Sequence, residues 1–309
     1  MKTKKVRMSR DKLKAQLEIQ SMVLPAIVFL IIFSYIPMVG VFMSFIDYNP
    51  VVGFFKSEFV GFKYFKELFE DAAFPMIMKN TLGMNLISLA VSFPSTIMFA
   101  ILLNELRTLW FKKIVQTISY LPHFVSWVIF GGIIIQMLSA GDDGMLNNVL
   151  MATGLIEKPI NFMGDPAYYW GVIIIASLIK GIGWGAIIYI AAIAGINTEL
   201  YEAAEIDGAG RWRKIWNITL PGISGTIVIM LIFAISNILD SGNTVTLVMQ
   251  NQLNYTASET IDMYVYHVGI SNYRFSYATA IGLLKSIVGL ILLLSANYTS
   301  KKLTDKGLF

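Results

Sequence analysis

Six stretches of this chain run for the width of a bilayer with almost no charge. Residues 21–46, 80–104, 114–141 and 215–239 contain no Asp, Glu, Lys or Arg, while 166–197 and 275–300 contain one lysine each, Lys180 and Lys285. Crossing the hydrocarbon core takes roughly 20 apolar residues at the helical rise. The pattern therefore predicts six transmembrane helices, too many long apolar runs for the buried helices of one soluble core. Pro25, Pro37 and Pro94 fall inside these runs and are expected to kink them.

The polar segments between the runs give an orientation. Residues 1–20 carry seven Lys or Arg, 106–113 three, 199–214 three and the tail after Ser300 three, whereas the alternate side has Lys56, Lys63, Lys66, Lys158 and Arg274, with Lys79, Lys180 and Lys285 at or within span limits. By the positive-inside rule both termini are cytoplasmic. The first run is long and lacks a small-residue cleavage site, so it reads as a signal anchor that stays as the first span. Residues 1–20 are then a basic cytoplasmic segment, read first as an orientation signal and second as an amphipathic helix on anionic lipid. Residues 21–300 form the six-span domain and 301–309 a cytoplasmic tail. The longest external segments, 47–79, 142–165 and 240–274, are sized for lids or docking surfaces rather than domains.

Composition agrees and removes other classes. Hydrophobic residues make up 56% of the 309 and charged ones 14%, against about 25% charged in a soluble domain. There is no cysteine, and His123 and His267 are the two histidines, so neither a thiolate nor a metal centre is expected. The net charge of +4 is spread by loop rather than gathered with aromatics into a patch, which argues against nucleic acid. No G-x-x-x-x-G-K-[ST] pattern is present, so this chain does not itself cradle ATP.

One cytoplasmic stretch, residues 197–221, stands out. Asn197 or Thr198 can cap a helix whose positive end bears Glu199 and Glu202. Gly208 and Gly210 allow a left-handed stop. A second short helix follows, with Trp212, Ile215 and Trp216 on one face and Arg211, Arg213 and Lys214 around them, before Leu220-Pro221 turns into the next span. A small capped helix presented to the cytoplasm suits docking in a partner's groove, and an ordered loop would read much the same way.

A family resemblance decides between them. Glu202-Ala203-Ala204, three residues, Gly208, nine residues, Ile218, one residue, Leu220-Pro221 resembles the EAA loop of ABC importer permeases without departure. Segment 258–270, the run beginning Tyr277-Ala-Thr-Ala and the ending Gly-Leu-Phe309 are similar to sugar permeases related to the LplB polysaccharide-transport proteins. The resemblance implies an all-α integral membrane protein of the type I importer permease fold with a cytoplasmic coupling helix. It implies a non-enzymatic permease subunit of an oligosaccharide importer in a bacterial inner membrane. Its implied partners are a second homologous permease, two ATP-binding cassette subunits that bind ATP and Mg, an extracellular solute-binding protein and membrane lipid. Glu202, Ala203, Ala204, Asp207, Gly208, Ile218, Leu220 and Pro221 carry the ATPase contact under this resemblance. An importer for another polar solute, such as glycerol phosphate or a modified sugar, is the nearest alternative; a channel or self-powered transporter would have no use for the coupling loop.

Polar groups inside spans mark the candidate substrate site, because they are costly there. Ser177, Lys180, Gly181 and Trp184 share a helical face that offers a hydroxyl, a cation, a gap and an aromatic plate. Glycines at 181, 183 and 185 would equally serve close helix packing, with Lys180 paired to a neighbour. At the outer end of the fifth span Asn237, Asp240 and Ser241 share a face, and Lys285 lies in the sixth. One Asp cannot pair both lysines. Either a partner supplies a second carboxylate, or the cavity is electropositive and takes an acidic sugar. Lys180 is expected to matter more than Lys285. His123 reads as a span-end residue.

Overall fold

The apolar runs fold as helices because a backbone in hydrocarbon must satisfy its N–H and C=O groups within its own segment. A computed structural model describes residues 10–304, 307 and 308; residues 1–9 of the basic N-terminal segment and 305, 306 and 309 of the tail lie outside them. The first span begins in α1 (Arg10–Leu30) and continues through a π turn, Ile31–Tyr35, and a 3-10 segment, Ile36–Phe45. Pro25 sits inside α1 and Pro37 in the first turn of the 3-10 segment. A two-residue antiparallel ladder joins β1 (Ile46–Asp47) to β2 (Glu58–Phe59) and leads to α2 (Lys63–Glu70). Then come α3 (Phe74–Glu105), α4 (Leu109–Phe124), α5 (Trp127–Met137), α6 (Met145–Ala152) and α7 (Pro166–Ala194). The cytoplasmic segment holds α8 (Thr198–Ile206) and α9 (Arg211–Lys214), which passes through a π turn, Ile215–Thr219, into α10 (Leu220–Ser236). Three short helices, α11 (Asn243–Met249), α12 (Tyr255–Ser258) and α13 (Ile261–Tyr266), precede α14 (Phe275–Thr304).

Five helical segments are long and apolar enough to cross a membrane, and α4 with α5 makes a sixth only as a bent pair. The span expected over 114–141 is made of two helices meeting at 102°. Pro122 sits in the last turn of α4, where it weakens the ladder, and Ser126 starts α5 by accepting the Ile129 N–H through its hydroxyl, 3.3 Å. Because the run is free of charge at both ends and at its middle, nothing in its hydropathy separates a rod from a broken span.

The bundle centres on α7, which packs along α3 and α4 and against α10, while α10 and the 36–45 segment pack on α14. At Gly183 the approach of α4 is so close that a Cβ would lie 2.3 Å from the Ser119 carbonyl oxygen. Near the α8 end the core is Ile97, Ala100, Ala186, Tyr189, Ile193 and Ile223. Toward the opposite end it passes through Met84, Tyr169, Ile173 and Met249 to Tyr64, Leu68, Ile77, Tyr277 and Ile281. Residues 18–39 of the first span, by contrast, are all exposed, so this stretch offers its apolar surface to lipid or to another chain, while the 36–45 end of the span reaches α14.

The segment 240–274 is not a free lid; it is built into the bundle by buried polar groups. Asn80 of α3 donates to the Thr256 and Glu259 carbonyls, 2.9 and 3.0 Å, and the Thr81 hydroxyl accepts the Ile261 N–H, 2.9 Å. Asn254 donates to the carbonyls of Met163 and Met249. Glu259 is 0% exposed and is held by Gln250 Nε2, 2.7 Å, and His267 Nδ1, 3.0 Å. In low dielectric such groups are costly unless partnered, so these bonds fix one arrangement of the segment.

Candidate translocation cleft and coupling segment

The α8 segment is shaped by the caps its sequence carries. Asn197 accepts the Glu199 N–H, 3.1 Å, and Gly208 turns left-handed at φ 73°, with the Ala209 N–H closing on the Ala204 carbonyl, 2.8 Å. Lys214 Nζ lies 2.5 Å from Glu205, and this hydrogen bond together with the ammonium charge holds the Glu205 carboxyl below its usual range. Tyr201 and Thr219 hydroxyls meet at 2.9 Å, tying α8 to the π turn behind it.

The eight expected coupling residues divide into two groups. Glu202, Ala203, Asp207 and Gly208 are exposed, and Ala204 is half-buried. Ile218 and Leu220 are half-buried at the base, Leu220 against the core, and Pro221 opens α10. Ile206, 88% exposed, and Leu200 add apolar surface to α8 that no sequence argument singled out. Trp212, Ile215 and Trp216 line one apolar groove with α3, as their spacing implied, although Ile215 alone is buried.

Just past the end of α10 three clefts meet at one place. The first, about 440 Å³, lies between α3, α7 and α10 and is lined by Asn85, Ser88, Ser92 and Thr96 on one side and by Tyr189, Asn237 and Asp240 on others. The second, about 420 Å³, continues past Asn85 and Ser88 to Ser177, Trp127 and Ser241. The third, about 280 Å³, runs from Asn237 and Asp240 to Lys285 and Ser286. Asn237 and Asp240 border all three. The α3 polar stripe, one residue per turn, is the main lining that sequence reading missed; its three- and four-residue spacing within an apolar run was a usable signal.

An unexpected carboxylate organises Asp240 and Lys285. Asp262 of α13, nearly buried, forms an ion pair with Lys285 and accepts the Ser241 N–H, 2.8 Å. Lys285 Nζ is also 3.8 Å from Asp240, whose side chain is 60% exposed. Ser241 faces inward and accepts from Asn85 Nδ2, 3.0 Å, while Asn85 also donates to the Ile238 carbonyl, 2.8 Å. Asn237, Asp240, Ser241 and Lys285 are thus brought together, but Ser241 is buried and Lys285 already has Asp262.

Lys180 has a different setting from that of an open sugar ligand. It is 8% exposed, and its ammonium donates to the carbonyls of Pro122, 2.8 Å, His123, 3.1 Å, and Val125. These carbonyls close the C-terminal end of α4, where that of Pro122 also accepts the Val125 N–H, 3.3 Å, so the cation acts as a C-terminal cap. It also sits 5.4 Å from the Trp127 ring centroid and 5.6 Å from that of Phe130. Ser177 reaches the second cleft; Gly181 meets open space; Trp184 stacks on His123, centroids 4.4 Å apart and planes 2° from parallel, and borders none of the three clefts. No group of His, Asp and Glu placed to hold a metal occurs among the described residues.

Comparison with known proteins places this architecture. Residues 80–305 match the family described as "Binding-protein-dependent transport system inner membrane component". "Protein LplB" of Bacillus subtilis is 41% identical over 93% of this chain and 90% of its own length. The same organism's "Polygalacturonan/rhamnogalacturonan transport system permease protein YteP" is 40% identical over 96% and 92%. Among solved structures, a permease chain of a bacterial alginate ABC transporter, in complex with an alginate pentasaccharide-bound periplasmic protein, superposes with a TM-score of 0.87 at 35% identity, covering 96% of this chain and 99% of that one. The chain belongs to the inner-membrane permeases of binding-protein-dependent ABC transporters.

Proposed function

We propose that this permease forms half of the translocation path of an ATP-driven oligosaccharide importer, beside a second homologous permease. The carrying observation is the junction of clefts at Asn237 and Asp240. Its polar lining is mainly amides and hydroxyls, Asn85, Ser88, Ser92, Thr96, Ser177 and Asn237, with one open carboxylate. Such a set exchanges hydrogen bonds with sugar hydroxyls in turn. Relatives that carry polygalacturonan, rhamnogalacturonan and arabinooligosaccharides support the same class.

In this reading the α8 segment docks on one of two ATP-binding subunits that hold ATP and Mg. Glu202, Ala203, Ala204, Asp207 and Gly208 make the contact, and Ile218, Leu220 and Pro221 anchor it to α10. Closure of the ATPase dimer moves α8 and, through α7 and α10, opens the clefts toward the extracellular binding protein. Both termini and α8 then lie in the cytoplasm, and 240–274 faces the binding protein. The test is co-purification and ATP-driven uptake. Affinity-tagged chain expressed with its neighbouring genes brings down an ATPase and a second permease and accumulates oligosaccharide. Accumulation without any ATPase would refute the proposal.

A further inference from the structure

The second cleft ends on Trp127, the first residue of α5 and the single aromatic in its lining among the described residues. Its place is fixed from two sides. Lys180 gathers the carbonyls of Pro122, His123 and Val125 at the break, so α5 begins at a set point, and the same ammonium stands 5.4 Å from the indole. Phe130 closes edge-on, centroids 5.7 Å apart and planes at 74°. Around the indole the cleft offers Asn85, Ser177 and Asn237. A sugar ring has apolar C–H faces and a polar rim; a flat aromatic flanked by amides and hydroxyls complements both. Trp184, the aromatic expected from the sequence, is instead engaged with His123 outside the clefts.

We propose that Trp127 is the aromatic surface on which a sugar ring rests during passage, and that Lys180 is a positioning residue that holds this indole rather than a sugar ligand. The proposal rests on the oligosaccharide reading above. It explains why a span is broken at this depth: the break turns the first residue of α5 into the cleft, where a straight helix would continue along α7. It also gives the buried ammonium a role that needs no carboxylate.

The experiment uses the whole transporter, with partner permease, ATPases and binding protein, in proteoliposomes. Wild type is first offered labelled oligosaccharides from hydrolysed rhamnogalacturonan, polygalacturonan and arabinan, and the best taken up is the probe. Trp127→Leu, which fills the space without a ring, is expected to lower uptake about tenfold at saturating binding protein, with assembly and basal ATP hydrolysis kept. Trp127→Tyr keeps a ring and should retain most uptake. Lys180→Met should lower uptake less than Trp127→Leu and add nothing to it in the double variant, since it acts through the indole. If Trp127→Leu does not assemble, Trp127→Met takes its place. Uptake within twofold of wild type without the ring, or equal loss with Tyr, overturns the role of Trp127. An additive double variant overturns that of Lys180. Failure of wild type to take up any of the probes overturns the oligosaccharide reading itself, and the proposal with it.

Discussion

Removing the charge of Asp262 strands a cation inside the bundle. In Asp262→Asn the side chain keeps its size, and its remaining carbonyl can still accept the Ser241 N–H, now 2.8 Å from the carboxylate. What is lost is the ion pair with Lys285. Breaking a buried pair by neutralising one partner costs about 3 to 5 kcal/mol when nothing else compensates. Here two things do: Lys285 is 22% exposed at its side chain, and Asp240 stands 3.8 Å away. Asp240 is itself largely open, so its screened attraction recovers little, on the order of 1 kcal/mol. The expected net loss is about 2 to 3 kcal/mol, which for a chain of 309 residues lowers the melting temperature by roughly 3 to 5 °C. Thermal unfolding of the purified transporter in detergent reads it. Adding Lys285→Met removes the stranded charge and should restore much of the loss, so the double variant melts above Asp262→Asn. A melting temperature within about 1 °C of wild type for the single variant would refute the assignment of Asp262 as the counter-ion.

Two further outcomes follow from glycines at which the backbone leaves no choice. Gly183→Ala puts a methyl 2.3 Å from the Ser119 carbonyl oxygen, which is backbone and cannot rotate away, so α4 must shift; a loss of about 1 to 3 kcal/mol in thermal unfolding is expected, and an unchanged melting curve would contradict that contact. Gly208→Trp adds a bulky group at a φ of 73°, with open space around it; the spans should remain folded while the ATPase dissociates or turns over without transport, and full coupling would exclude Gly208 from the interface.

The long apolar runs were legible because lipid imposes a length and forbids charge, and five of them fold as continuous spans. The bend between α4 and α5 was not, since hydropathy is blind to direction; Pro122 alone hinted at it. The partners of Lys180 are main-chain carbonyls, which every residue carries and no composition reveals. Asp262 was hidden for another reason. It lies in a short helix of segment 258–270, outside every apolar run, and only the fold carries it to Lys285. The caps at Asn197 and Gly208 were readable because each uses local chemistry, a side-chain oxygen and a left-handed glycine. The stripe Asn85, Ser88, Ser92, Thr96 was readable in principle, being a periodic pattern within one helix.

In the proposed path sugar passes along the α3 stripe. The absence of cysteine lets Ser92→Cys be labelled without background. Ser92 lies in the middle of the first cleft's α3 lining, between Ser88 and Thr96. A bulky thiol reagent is expected to stop ATP-driven oligosaccharide uptake in proteoliposomes of this variant, and the transported sugar is expected to slow the labelling. Complete labelling with uptake undiminished would contradict the account.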